Sequence, residues 1–159
     1  MNFEPQVRAL AEALQKRGWR MATAESCTGG LIAAACTSVA GSSDWFERGF
    51  VTYSNEAKTS MLGVLPQLIE AHGAVSEAVA LAMAGGALTH APVQLAVAVT
   101  GIAGPGGAVP GKPVGTVWLA WGSTAGLRAE RLQLAGDRSA VRAATVHAAL
   151  ARLRRAASP

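Results

Sequence analysis

Lysine is scarce in this chain of 159 residues, limited to Lys16, Lys58 and Lys112, and cysteine is scarcer, with only Cys27 and Cys36. Two cysteines so close in sequence cannot make a disulfide framework. Aromatic residues are 5% of the chain and none follows Trp121. The net charge of +4 therefore has no interleaved aromatics on which bases would stack, and no nucleic-acid partner is expected. Arg152, Arg154 and Arg155 read as one solvated helix face. No apolar run reaches the ~18 residues of a membrane span. Met1 to Pro5 contains no basic segment leading into a hydrophobic one, so no secretory leader and no membrane partner are expected. A cytoplasmic location follows as an expectation. His72 reads as loop, His90 and His147 as late helical residues, and none belongs to a metal-ligand spacing.

What is abundant is alanine, valine, leucine and glycine, half of the chain being apolar. That composition and length suit one compact α/β domain, with no internal repeat and no long linker. Pro5 to Arg17 carries Val7, Leu10, Ala11 and Leu14 at helical spacing, with Gly18 as a C-cap. Trp19 to Ala24 reads as a strand and Gly29 to about Val39 as a second helix. Phe46 to Ser54 reads as another strand, after which Asn55 caps a helix running through Lys58 to Leu62. Leu65 to Ala71 and the segment from Ser76 to Leu88 add two helices. Val93 to Thr100 is a continuous apolar run, as in a central buried strand. Val114 to Gly122 and Leu127 to Leu134 form a hairpin, and Asp137 to Ala156 closes the chain as a helix. The expected fold is a three-layer α/β/α sandwich around a mixed sheet, one domain over 1–159.

The segment Glu25-Ser26-Cys27-Thr28-Gly29-Gly30 lies between a strand and a helix start. Unpaired N–H groups of a first helical turn, with glycines allowing close approach, serve anions and nucleophiles alike. A hydroxyl beside a thiol there can supply the attacking group, and the turn amides an oxyanion hole. The alternative is a hydroxyl helix cap followed by a glycine turn. The glycine- and proline-rich stretch Gly101 to Pro113 follows a buried strand, where α/β sheets bind ligands. It is neither a P-loop nor a dinucleotide fingerprint. With Asn55 as N-cap, Lys58 falls at the third helical position, where the helix dipole and any burial disfavour its charge. It is thus either a candidate general base or an exposed lysine.

Thr23-Ala24-Glu25-Ser26-Cys27-Thr28-Gly29-Gly30, Ala40-Gly41-Ser42-Ser43 and Trp45 through Lys58 resemble the CinA carboxy-terminal domain family. So do Gly73-Ala74-Val75-Ser76, Thr100 through Gly107, Lys112 through Val117 and Gly136-Asp137-Arg138, in order along nearly the whole chain. The resemblance implies an amidase that converts nicotinamide mononucleotide to nicotinate mononucleotide and ammonia, without metal or cofactor, commonly as a homodimer or higher homo-oligomer. Longer members carry a molybdopterin-binding-like domain, which these 159 residues do not contain, and the stand-alone form is the expectation. Carried over, Ser26 is the nucleophile, Lys58 the base, and Tyr53 assists in orientation or proton transfer. Thr28, Gly29, Gly30, Asn55, Thr100, Gly101, Arg138 and Arg142 are the expected substrate-binding residues. Arg138 and Arg142, one helical turn apart, suit the 5′-phosphate of the small-molecule nucleotide substrate. The rival from another class is a non-catalytic nucleotide-binding or regulatory module using the same loops.

Overall fold

The structure, a computed structural model, describes residues 2–159. The first helix, α1 (Glu4–Arg17), has a proline in its first turn and stops where Gly18, at φ 64°, donates its N–H back to the last turn. Strand β1 (Met21–Glu25) is buried throughout, begins two residues later than its pattern suggested, and extends one further. Helix α2 (Leu31–Cys36) is shorter at both ends than the expected Gly29–Val39. Gly29 and Gly30 have φ of 57° and 104°, so the chain turns there instead of coiling.

Strand β2 (Phe46–Val51) leaves the sheet before Thr52 and Tyr53. Ser54, not Asn55, caps α3 (Asn55–Leu62), its side chain accepting the Ala57 N–H. A serine oxygen in that role stabilises a helix by about 1 kcal/mol. Asn55 therefore opens the helix and Lys58 is its fourth residue, still within the first turn. Helices α4 (Pro66–His72) and α5 (Glu77–His90) follow, so His72 ends a helix and does not lie in a loop. Strand β3 (Leu95–Gly101), the hairpin of β4 (Thr116–Ser123) and β5 (Gly126–Gln133), and helix α6 (Arg138–Ala157) complete the chain. The stretch between β3 and β4 holds a lone bridge, Val109 to Lys112.

The sheet order is β2-β1-β3-β4-β5. Strand β1 runs parallel to β2 and β3, while β4 is antiparallel to both β3 and β5, giving the expected mixed sheet. Alternation along β1 and β3 divides the core. Met21, Leu95, Val97 and Val99 pack with residues of α1, α2 and α6. Ala22, Ala24, Ala96 and Ala98 pack with α3, α4 and α5. The carboxyl ends of the three parallel strands lie side by side and deliver Thr52–Tyr53, Ser26 and Thr100 to one edge of the sheet. Among the described residues no helix is long and apolar enough to cross a membrane.

Candidate active site

Ser26 directly follows β1, and its N–H donates to Val99 O (3.1 Å), which extends the pairing with β3 by one residue. Ala22 and Ala24 belong to the face beneath α3, α4 and α5, and Ser26 continues that alternation. There its Oγ lies 3.0 Å from Lys58 Nζ. The same Nζ lies 3.1 Å from Thr52 O and 3.2 Å from Tyr53 O, the two carbonyls freed where β2 ends. Lys58 is only 1% exposed. Burial pushes its pKa below the ordinary lysine value, against smaller opposing effects of Cys27 and Glu56.

The partners of Nζ also fit the neutral amine. Both carbonyls can only accept, and a neutral amine has two N–H bonds to give them. Its lone pair is then left for the Ser26 O–H, which is the direction in which a general base takes a proton. As ammonium, the same group donates to all three oxygens. The site thus satisfies either protonation state: beside the ammonium the Ser26 hydroxyl donates to Tyr53 O (3.4 Å), and beside the amine it turns to donate to Nζ.

Cys27 turns the other way, into the core cluster with Ile32, Cys36 and Val99. Burial pushes its thiol up to about 12. A thiol held so far above neutral pH supplies almost no thiolate, the form in which cysteine attacks.

A cavity of about 250 Å³ opens onto the pair. Ser26, Cys27, Lys58, Tyr53, Asn55, Thr100, Gly101 and Arg138 all line it, Cys27 through the 6% of it that stays exposed. Arg138 donates Nη1 to Gly104 O (2.9 Å) and Nη2 to Tyr53 Oη (3.3 Å), so the arginine and the 62%-exposed tyrosine form the rim together. Thr100 donates its hydroxyl to Ala74 O (2.9 Å), which ties β3 to the loop before α5. That loop contributes Ala74 and Val75 to the lining, and Ala103 comes from the stretch after β3. Their only sequence signal was membership of motifs without reactive side chains.

Four expected binding residues lie outside this lining. Thr28 is buried and donates its hydroxyl to Glu25 Oε1 (2.6 Å). Gly29 and Gly30 form the left-handed turn into α2. Arg142 donates Nε to Cys27 O (3.2 Å) and Nη2 to Thr28 O (3.3 Å), holding the serine loop from behind. The first-turn N–H groups of α2 on Ile32 and Ala33 are already taken by the Glu25 carboxylate (2.8 and 3.0 Å). Sequence reading left those amides open to an anion and gave Glu25 no role.

Two of the three histidines are engaged elsewhere: His90 Nδ1 faces Gly86 O (2.8 Å), and His147 Nδ1 faces Gln6 Oε1. Among the described residues no group of three or more His, Cys, Asp or Glu is gathered as a metal site.

Comparison with known proteins gives a consistent picture. A family model described as the CinA C-terminal domain matches residues 4–157. The nicotinamide-nucleotide amidohydrolase PncC of Pseudomonas putida is 55% identical over 141 residues, covering 89% of this chain and 88% of that protein. A CinA-like protein of Syntrophobacter fumaroxidans is 51% identical over 149 residues, but this chain spans only 35% of its length. The crystal structure of the competence/damage inducible protein CihA from Agrobacterium tumefaciens superposes with a TM-score of 0.93 at 46% identity, covering 96% of this chain and 94% of that one.

Proposed function

Because the chain belongs to the CinA C-terminal domain family, we propose that it is a nicotinamide-nucleotide amidohydrolase, with Ser26 and Lys58 as its catalytic pair. The observation that carries this reading is the 3.0 Å contact between a buried lysine amine and the Ser26 hydroxyl at the floor of a cavity. A lysine kept from water solely for stability has no reason to face a serine at the carboxyl end of a central strand.

The chemistry runs in two halves. Ser26 Oγ attacks the carboxamide carbon of nicotinamide mononucleotide while its proton passes to Lys58 Nζ. The carbonyl oxygen becomes an oxyanion, for which the Cys27 and Thr28 N–H groups are the candidate donors in this loop, since Ser26 and Gly29 spend theirs on the Val99 and Ser26 carbonyls. Lys58 returns the proton to the departing nitrogen, the C–N bond breaks, and ammonia leaves a Ser26 ester. Water, deprotonated by the neutral Lys58, attacks that ester and releases nicotinate mononucleotide and free Ser26. Tyr53 and Arg138 at the rim hold the nucleotide, the guanidinium receiving the 5′-phosphate. Arg142, directed at the serine loop, keeps that loop in place.

Incubation with nicotinamide mononucleotide, read by ammonia release and by the appearance of nicotinate mononucleotide in equal amounts, tests the proposal. Saturable turnover is expected. Tight binding of the mononucleotide without ammonia would establish the non-catalytic module instead.

A further inference from the structure

Glu25 is the last residue of β1 and the immediate neighbour of the nucleophile, yet it does not line the cavity. We propose that Glu25 is a positioning residue for Ser26: its carboxylate caps α2 from the end of β1 and thereby fixes the loop that aims the nucleophile. The proposal rests on the amidase reading for its kinetic consequences, and on geometry for the rest.

The geometry is a closed ring. Glu25 is fully buried, and its backbone is pinned in the sheet between Val51 and Val99, its carbonyl accepting the Thr52 N–H (2.8 Å). Its Oε1 accepts from Thr28 Oγ1 (2.6 Å) and Ile32 N (2.8 Å), and its Oε2 from Ala33 N (3.0 Å). Gly30, at the position where a side chain usually caps a helix, offers none. The carboxylate does that work from five residues upstream, and residues 26–30 are the stitched segment. Arg142 grips the same segment from outside, through the carbonyls of Cys27 and Thr28. Among the described residues no Lys or Arg forms an ion pair with Glu25. Its charge is met by three donors, two of them at the positive end of a helix.

Only a carboxylate suits this arrangement, because all three partners donate and a carboxylate is acceptor-only. A glutamine of the same shape sets an N–H₂ group against a donor and opens one side of the ring. The nucleophile then wanders by a fraction of an ångström, and misplacement on that scale costs chemistry far more than binding. Burial first, and to a smaller degree the Glu25 charge, opposes ionisation of Cys27 and Cys36.

Glu25→Gln provides the test, with steady-state kinetics on nicotinamide mononucleotide and amide hydrogen exchange measured on the same preparation. The expected result is a kcat at least about tenfold lower with KM changed less than about threefold, and faster exchange confined to Ile32, Ala33 and the loop before them. A kcat within twofold of the parent would overturn the proposal. So would equal changes in kcat and KM accompanied by faster exchange throughout the fold, the signature of a merely structural residue. If the parent enzyme releases no ammonia, the amidase reading fails by itself. Exchange then decides the positioning claim alone: local acceleration upholds it and unchanged protection refutes it. If Glu25→Gln does not fold, Thr28→Val removes one donor from the ring, and a smaller fall in kcat at constant KM is expected from it. No fall would count against the proposal.

Discussion

Beneath α1, α2 and α6 the sheet presents Met21, Leu95, Val97, Val99, Leu119 and Trp121; beneath α3, α4 and α5 it presents Ala22, Ala24, Ala96, Ala98 and Ala120, flanked by Phe50, Trp118 and Leu127. Large side chains on the first face pack against residues of those helices. Alanines on the second leave depth, and backbones come close. A Cβ added to Gly86 in α5 would collide with the Leu62 carbonyl at the end of α3. Into that depth the Lys58 stem descends from α3 to meet Ser26 on the alanine side. Cys27, one residue on, packs on the side of the large residues, with only 6% of it left exposed at the cavity. The alternation of a single strand therefore sorts a hydroxyl and a thiol into opposite environments. In the proposed mechanism the weaker nucleophile acts because it is the one that faces Lys58.

The comparison breaks first at the base. Lys58→Met keeps the stem and removes the amine, and kcat/KM should fall by about 10²- to 10⁴-fold, the range typical of a positioned general base. The parent's kcat/KM should climb with pH until it reaches a lysine pKa below the ordinary ~10.4, and Lys58→Met should lose that climb. Stability carries the same sign. With the folded pKa depressed, the unfolded chain binds more protons between the two values, so unfolding free energy rises with pH across that window. Below the folded pKa the penalty is fully present. The difference in unfolding free energy between the parent and Lys58→Met, from denaturant titrations at several pH values, should show this rise. Cys27 and Cys36, whose raised pKa values lower stability as pH climbs past their unfolded value, act equally in both.

A smaller effect is expected at the rim. Arg138→Ala should weaken use of nicotinamide mononucleotide about ten- to a hundredfold, the equivalent of a lost charge-assisted contact of ~1.5–3 kcal/mol. Phosphate-free nicotinamide riboside, assayed in parallel, should lose far less. Equal losses on the two substrates would remove the phosphate from Arg138.

The smallest effects on activity sharpen the contrast between the faces. Gly86→Ala overfills the α3–α5 contact and should cost about 1–3 kcal/mol in a denaturant titration. Since α3 carries Lys58, kcat should fall several-fold as well. Leu14→Ala, on the other face and away from the site, should cost more stability, about 2–5 kcal/mol, while leaving kcat within about twofold. If Leu14→Ala harmed kcat as Gly86→Ala does, the division of labour between the faces would be wrong.

Much of this was legible in the sequence because periodicity reports burial. The apolar run before Thr100, the helical spacing of Val7, Leu10 and Leu14, and the hairpin near Ser123 to Gly126 all give the correct elements. So does the convergence of Ser26, Lys58, Tyr53, Asn55, Thr100, Gly101 and Arg138, which lie far apart in sequence and were brought together by the family's motifs. What escaped depends on direction in space. Arg142 follows Arg138 by one turn, so spacing grouped them, yet their guanidiniums take different carbonyls. Ser54 and Asn55 are both good caps, and only backbone angles decide between them. Glu25 reads as the tail of a strand. Its reach to amides seven and eight residues ahead requires the left-handed glycines to fold the chain back.

The claim that strand alternation hands catalysis to Ser26 and withholds it from Cys27 is tested most directly by two variants assayed side by side. Ammonia release from nicotinamide mononucleotide should fall by about 10⁴-fold or more in Ser26→Ala, as for loss of a nucleophile elsewhere, and stay within about threefold of the parent in Cys27→Ala. A Cys27→Ala enzyme that is dead beside an active Ser26→Ala enzyme would contradict the account at its root.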